Sequence, residues 1–287
     1  MAQLKLVTRP FHAFPYRKWN PVLRTLCDEY RANSPSPHIY LADFLEDDTA
    51  GMIARDFPSP AAPGWTYYKH QNENKLGMTQ RSMFPGVLGK VVDELNSPEF
   101  VEWISDLTGI SGLVSDPSLD GGGLHQAGRG GFLNLHADFT AHHYQKNWRR
   151  RVNLIVYLTP NWQDEWGGAL EFWNGASKCC AARYPSLFNH AVIFNTDDRS
   201  LHGFPDPLQC PENLARNSLA LYYYTVEEKP RLVVRATDYR ARPGDNRKKA
   251  ALIWLDKHAV SIYSKVKKRF GFSDQMVSRI LGFMARK

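Results

Sequence analysis

The chain has 287 residues, 43% hydrophobic and 13% aromatic, which allows a full core and excludes intrinsic disorder. It contains no apolar run long enough to span a membrane, and residues 1–14 lack the apolar stretch of a secretory signal, so a cytoplasmic location is expected. The net charge of +7 is uneven: Lys229 to Lys287 hold 16 Lys+Arg and 4 Asp+Glu, whereas residues 1–228 hold 20 and 25. The four cysteines show no C-x-x-C spacing, so reduced thiols are expected rather than a disulfide framework or a zinc site.

Prolines break regularity in residues 1–37, but Pro21 to Arg31 reads as a helix, with Pro in its first turn. His38–Leu41 reads as a strand and Glu46–Phe57 as a short helix with acids in its first turn. Residues 58–85 read as a long loop with a strand near Trp65–Lys69. Ser97–Gly109 has the clearest helix signature: Ser97 as N-cap, Pro98 at the first position, and Gly109 as the stop. The glycine-rich segment from Gly121 to Gly131 lacks the Lys-Ser/Thr of a phosphate loop, so two strands joined by a glycine turn are expected. Val152–Leu158, Ala169–Trp173, Ala191–Phe194 and Ser218–Thr225 then read as strands with no helix between them. Beyond Lys229, Leu252, Leu255, Ala259, Ile262, Val266 and Phe270 recur at helical spacing, and Ser273 can cap a last helix.

Chemistry concentrates in the strand-rich part. His136 and Asp138, two apart on an extended backbone, can reach one point. With His202 they match the two-His, one-carboxylate triad that occupies one face of an octahedral Fe(II) and leaves positions open. Arg216 opens an apolar strand, where a buried guanidinium needs an anionic partner, and its planar fork suits a carboxylate.

These residues carry a resemblance. His136-x-Asp138, Arg151–Leu158, Trp166-Gly167-Gly168-Ala-Leu170-Glu171, His202-Gly203 and Arg216-x-Ser218-x-Ala220 resemble the iron- and 2-oxoglutarate-dependent dioxygenases, in particular the prolyl-4-hydroxylase-like branch. The resemblance covers about residues 119–226. It implies a double-stranded β-helix, or jelly roll, in an α+β chain whose core is mainly β. It implies Fe(II) on His136, Asp138 and His202, and 2-oxoglutarate held at its distal carboxylate by Arg216. Ser218 and Tyr157 would hydrogen-bond that carboxylate, with Asn153 and Leu170 lining its pocket. Ascorbate would serve as accessory reductant. The activity implied is decarboxylation of 2-oxoglutarate to succinate coupled to hydroxylation of a C–H bond in a prolyl, amino-acid or other small substrate. Retention of Asp138 separates the chain from halogenases, and Tyr222 stands where the nucleic-acid-repair branch has a second Arg. Many members of the branch use Lys where this chain has Arg216, and the segment from His202 to Arg216 is longer than usual.

The expected organisation is a helical and loop support over 1–118, a dioxygenase core over 119–228, and a basic helical extension over 229–287, together one structural domain. His142, His143 and Trp173 are the substrate-side candidates, with the two histidines on an exposed polar loop that follows the ligand pair. Other readings are a non-catalytic metal-binding module docking an anionic partner through the tail, a hydroxylase of a sugar or lipid-linked polymer intermediate, and a jelly-roll hydrolase or isomerase. The tail is expected to dock on the domain with its Lys and Arg solvated; it could also touch an anionic surface.

Overall fold

A computed structural model describes residues 12–176, 178–197, 200–228 and 235–270. In chain order they form α1 (Tyr16–Trp19), α2 (Leu23–Ala32), β1 (His38–Leu41), α3 (Asp47–Arg55), β2 (Thr66–His70), β3 (Glu73–Met78), α4 (Gly86–Leu95), α5 (Pro98–Thr108), β4 (Leu113–Ser115), β5 (Gly123–Gly128) and β6 (Phe132–Ala137). These are followed by β7 (Trp148–Tyr157), β8 (Leu170–Asn174), β9 (Cys179–Tyr184), β10 (Ala191–Asn195), β11 (Leu201–Phe204), β12 (Ala215–Val226), β13 (Asp238–Tyr239) and α6 (Arg247–Phe270).

The strands pair in the order β1-β10-β7-β12-β5-β3-β6-β11-β8-β9, and the sheet curls so that its ends face each other. Phe172 on β8 packs edge-on against Phe194 on β10 at 5.2 Å, and Tyr184 on β9 stacks on Tyr40 of β1 at 4.9 Å. This is the jelly-roll architecture expected. Alternation along β7 divides the interior. Val152, Leu154 and Val156 face a core shared with Ile53, Leu88, Val91, Ile104 and Leu107 of the helices. Asn153 and Ile155 face the cavity inside the curl. Truncating one of those buried Leu residues to Ala should cost about 2–5 kcal/mol. α5 is capped as its sequence predicts: Ser97 Oγ accepts from Phe100 N at 3.3 Å, and Gly109 adopts φ 70°.

Several expectations need correction. Residues 58–85 hold a hairpin, not one strand, because β3 follows β2 after a two-residue turn. The polar sequence Glu73-Asn74-Lys75 hid β3, whose side chains point partly into a polar cavity rather than an apolar core. The glycine run does give two strands, but β3 pairs with both β5 and β6 (Leu76 opposite Gln126, Glu73 opposite Leu133). The helix α4 and the strands β9 and β11 were also missed.

α6 exists, yet it docks through a different face. Ile253 is 2% exposed, while Leu252 and Leu255 of the predicted apolar face are 40% and 56% exposed. Polar contacts fix the docked side: Asp256 Oδ2 meets His70 Nδ1 at 2.7 Å and accepts from Asn72 Nδ2 at 2.6 Å, and Lys257 pairs with Asp238. The helix expected from Ser273 lies outside the described residues.

Candidate functional site

β6 and β11 lie side by side with His136 directly opposite His202, so backbone register alone brings the two imidazoles together, ring centroids 4.4 Å apart. Gly203 allows this closeness, since a Cβ there would sit 2.7 Å from Leu133 O. Asp138 follows β6 and turns back toward both rings: its Oδ1 is 3.6 Å from His136 Nε2, and its Oδ2 is 3.5 Å from His202 Nε2. Each ring's Nδ1 is 2.9 Å from the carbonyl oxygen two residues earlier, Asn134 for His136 and Ser200 for His202. A neutral ring donating there leaves its Nε2 lone pair aimed at the shared point. Ligand atoms of all three residues lie within 4.8 Å of one another. Two imidazoles and one carboxylate on one side of an open cavity fit a divalent iron with free positions.

The carboxylate is held from behind. Asn153 Nδ2 donates to Asp138 Oδ2 at 2.8 Å, and Arg150 Nη2 lies 3.1 Å from the same oxygen. Arg150 Nε in turn donates to Asn153 Oδ1 at 2.8 Å. Burial alone would raise the Asp138 carboxyl, but Arg150 and the two imidazoles outweigh it and hold it well below the usual carboxylate range. Burial pushes His202 down to about 4, so its ring is neutral at physiological pH. The Arg150 guanidinium is clamped between Tyr222, 3.4 Å to the ring centroid, and Phe139 at 4.4 Å. Nη2 pairs with Asp138 as an ion pair rather than a well-directed hydrogen bond, and Nη1 has no hydrogen-bond partner among the described residues.

A second group of side chains lines the same cavity, whose volume is about 240 Å³. Arg216 is buried on β12, and its Nε donates to Gly168 O at 2.9 Å and to Ser186 Oγ at 2.8 Å. Its guanidinium has no acidic partner among the described residues, and the Tyr157 hydroxyl is its polar neighbour. The guanidinium carbon lies 4.4 Å from the Phe204 ring centroid and 4.8 Å from that of Tyr157. Ser218 pairs across the sheet with Tyr157 on one side and His125 on the other, so the three share the inner face. The Tyr157 hydroxyl is buried beside Ser186 and Arg216 and makes no hydrogen bond of good geometry with either. Ile155 and Leu170 supply apolar wall. Gly168 is required here: its φ is +80°, and a Cβ would strike Arg216 Cδ at 2.7 Å. A guanidinium without an acidic partner, a buried hydroxyl beside it and an apolar wall form a cradle for a carboxylate on a short chain.

The expected residues are thus brought together with three amendments. His136, Asp138 and His202 converge, and Arg216, Ser218, Tyr157 and Leu170 surround the other end. Asn153 reaches the cavity, but its side chain is spent on Asp138 and Arg150. His142 is not on an exposed loop. It is 3% exposed, its Nδ1 accepts from the backbone of Tyr144 and Gln145, and its Nε2 lies 3.3 Å from Asp116. It fastens the loop and does not line the cavity. His143 does line the mouth, with its Nδ1 2.7 Å from Asp120 Oδ2. Trp173 points to the other face of β8, where its Nε1 donates to Glu171 at 2.7 Å, so it leaves the cavity wall.

Sequence reasoning missed Arg150, Glu73, Lys75, Tyr68 and Tyr239, all of which line the cavity. Arg150 was hidden by a bulge. Alternation groups Arg151 with Asn153, but the β7–β12 register shifts between Tyr223 and Tyr224, which places Arg150 opposite Tyr224 and turns it inward. The C-terminal segment is also part of the wall: β13 pairs with β6, setting Tyr239 opposite His136. His125 also faces the cavity. Burial, then the nearby Lys75 charge, holds its ring well below its ordinary value.

Comparison with known proteins follows the same lines. The sequence model of the 2OG-Fe(II) oxygenase superfamily matches residues 122–224. No curated protein matches the chain. Among solved structures, a Trichoplax adhaerens prolyl hydroxylase, in complex with a hypoxia inducible factor oxygen degradation domain peptide fragment, is similar over 75% of this chain and 93% of its own, at 15% identity and a TM-score of 0.54. A Pseudomonas putida prolyl-4-hydroxylase is 16% identical over 71% of this chain and 100% of its own, with a TM-score of 0.45.

Proposed function

We propose that the chain, whose residues 122–224 match the sequence model of the 2OG-Fe(II) oxygenase superfamily, is a hydroxylase holding Fe(II) on His136, Asp138 and His202 and 2-oxoglutarate on Arg216. The observation that carries this reading is the union of two half-sites in one cavity, three converging metal donors and a cradle of unpaired carboxylate-binding groups.

When bound, Fe(II) and 2-oxoglutarate supply the oxidising chemistry: one O₂ is consumed, 2-oxoglutarate leaves as succinate and CO₂, and a substrate C–H becomes C–OH. The chain's own residues prepare that event. His136 and His202 keep their Nε2 lone pairs inward because their Nδ1 atoms are engaged by Asn134 and Ser200 carbonyls. Asn153 and Arg150 occupy Asp138 Oδ2 and leave Oδ1 for the ion. Arg216 neutralises the distal carboxylate of the cosubstrate, while the Tyr157 and Ser218 hydroxyls donate to it. Phe204, Ile155 and Leu170 exclude water from its methylenes.

For the substrate we favour a prolyl residue or a related amino-acid unit. Tyr68, Phe139 and Tyr222 give the mouth flat apolar walls suited to a small ring. The Arg150 edge beside the metal position suits a carbonyl or carboxylate oxygen next to the carbon that reacts. A cytoplasmic location belongs to the same proposal and fits the four free cysteines.

Succinate release tests the function. Protein supplied with Fe(II), 2-oxoglutarate and ascorbate should release succinate slowly alone and several-fold faster with a prolyl peptide or free proline. Tightly held zinc and no succinate under any of these conditions would favour the non-catalytic module instead.

A further inference from the structure

α6 has two faces, and only one is used by the domain. Ile253, Asp256 and Lys257 hold the helix against β2, β3 and β13. Roughly opposite Ile253 on a helical wheel lies Leu255, with Leu252 beside it. They are 56% and 40% exposed, and Trp254, also 56% exposed, flanks them with its ring 4.0 Å from that of His258. Three large apolar side chains open to solvent within four residues form a patch that isolated surface apolar residues do not make. In the sequence the stripe continues at the same spacing through Ala259, Ile262, Val266 and Phe270.

The charge around that stripe has one sign. Arg247 and Lys248 are exposed at the start of α6 with no acidic partner among the described residues. The sequence places Lys265, Lys267, Lys268 and Arg269 along the later turns, and residues 229–287 contain no Glu and only four Asp. Of those four, Asp238, Asp245 and Asp256 are already engaged by Lys257, Lys249 and His70. Among the described residues, Arg247 and Lys248 therefore have no compensating acid.

We propose that α6 docks this enzyme on an anionic phospholipid surface, with Leu252, Leu255 and Trp254 entering the headgroup boundary and the basic side chains meeting lipid phosphates. A nucleic-acid site would need the cations but no apolar stripe, and a second copy of this chain would set two positive helices against each other. An anionic bilayer answers both features, since exposed Trp favours the interface and each nearby Lys or Arg adds to attraction. No described helix is long and apolar enough to cross a membrane, so the contact is peripheral. The inference is independent of the metal site, because none of these residues lines the cavity.

Co-sedimentation of the full chain with vesicles tests it. Binding is expected to phosphatidylcholine vesicles containing phosphatidylglycerol and not to phosphatidylcholine alone, and to weaken at high salt. The L252E/L255E pair should lower the apparent affinity at least about tenfold while leaving slow succinate release unchanged, which shows that the variant is folded. Loss of a blue-shift in tryptophan emission in W254F would mark that ring as the inserted one. The proposal fails if the wild-type chain ignores anionic vesicles, if L252E/L255E binds them as well as the wild type, or if the exposed stripe proves to hold a dimer that the pair dissolves without any vesicle binding. Equal binding of a single-stranded oligonucleotide by wild type and pair, with no vesicle binding, would assign the tail to nucleic acid instead.

Discussion

The two ends of the cavity differ in how far the protein satisfies its own polar groups. At the metal end, both histidine Nδ1 atoms and Asp138 Oδ2 have protein partners, and only the atoms facing the ion are left over. At the other end, Arg216 has no acidic partner among the described residues, and the Tyr157 hydroxyl beside it makes no hydrogen bond of good geometry. The first end is oriented in advance by its supports. The second carries an uncompensated buried charge that a dianionic ligand relieves. An unpaired buried cation is costly, so cosubstrate binding should stabilise the fold more than its size suggests.

Removing a ligand imidazole is the largest break. His136→Ala should lower 2-oxoglutarate-dependent succinate release by about a thousandfold or more, with Fe(II) affinity falling in parallel. Arg216→Ala comes next. It removes the charged partner of the carboxylate and should raise the 2-oxoglutarate concentration at half-saturation by about a hundredfold, a loss near 3 kcal/mol. The same change should erase most of the thermal protection that 2-oxoglutarate gives the wild type, read by differential scanning fluorimetry. Asn153→Ala sharpens the contrast, because it touches only the support of Asp138. Fe(II) affinity should fall roughly ten- to a hundredfold while the half-saturating 2-oxoglutarate concentration barely moves.

A smaller effect lies at the wall built by the C-terminal segment. His70 sits between Glu73 and Asp256, with Lys75 and Tyr239 also near Glu73. Burial opposes its charge, but the two carboxylates outweigh burial and raise its pKa above the ordinary value. A raised folded pKa stabilises the protonated native state. That stability is full below the unfolded value of about 6.5 and is lost as pH rises through the folded pKa. Glu73 runs the other way: burial would raise it, but Lys75 and His70 bring it down to about 2, so its contribution holds above 4.5 and vanishes toward pH 2. Hydrogen-exchange protection in the 247–258 segment, taken relative to the intrinsic base-catalysed rate at each pH, should therefore be greatest in mildly acidic buffer and fall on the alkaline side, and His70→Leu should flatten that profile. An unchanged profile in the variant would remove His70 from the latch.

Much of this was legible in the sequence for identifiable reasons. The triad could be read because His136 and Asp138 lie two apart, and the cap of α5 because Ser97, Pro98 and Gly109 each have one strong local preference. Residues whose direction depends on tertiary register could not be read. The bulge in β7 turns Arg150 inward, against simple alternation. β3 looked like loop because its outward partners are a polar cavity. On α6 the period of the apolar residues was right, yet the domain takes hold of Ile253 and a polar latch, so periodicity identified a face without saying what it meets.

Anaerobic titration of 2-oxoglutarate into Fe(II)-loaded protein tests most directly whether one cavity holds both iron and 2-oxoglutarate. The wild-type chain should develop a weak visible charge-transfer band that saturates with 2-oxoglutarate, disappears in His136→Ala, and needs far more 2-oxoglutarate in Arg216→Ala. A band that survives in His136→Ala, or one that titrates identically in Arg216→Ala, would contradict the shared cavity.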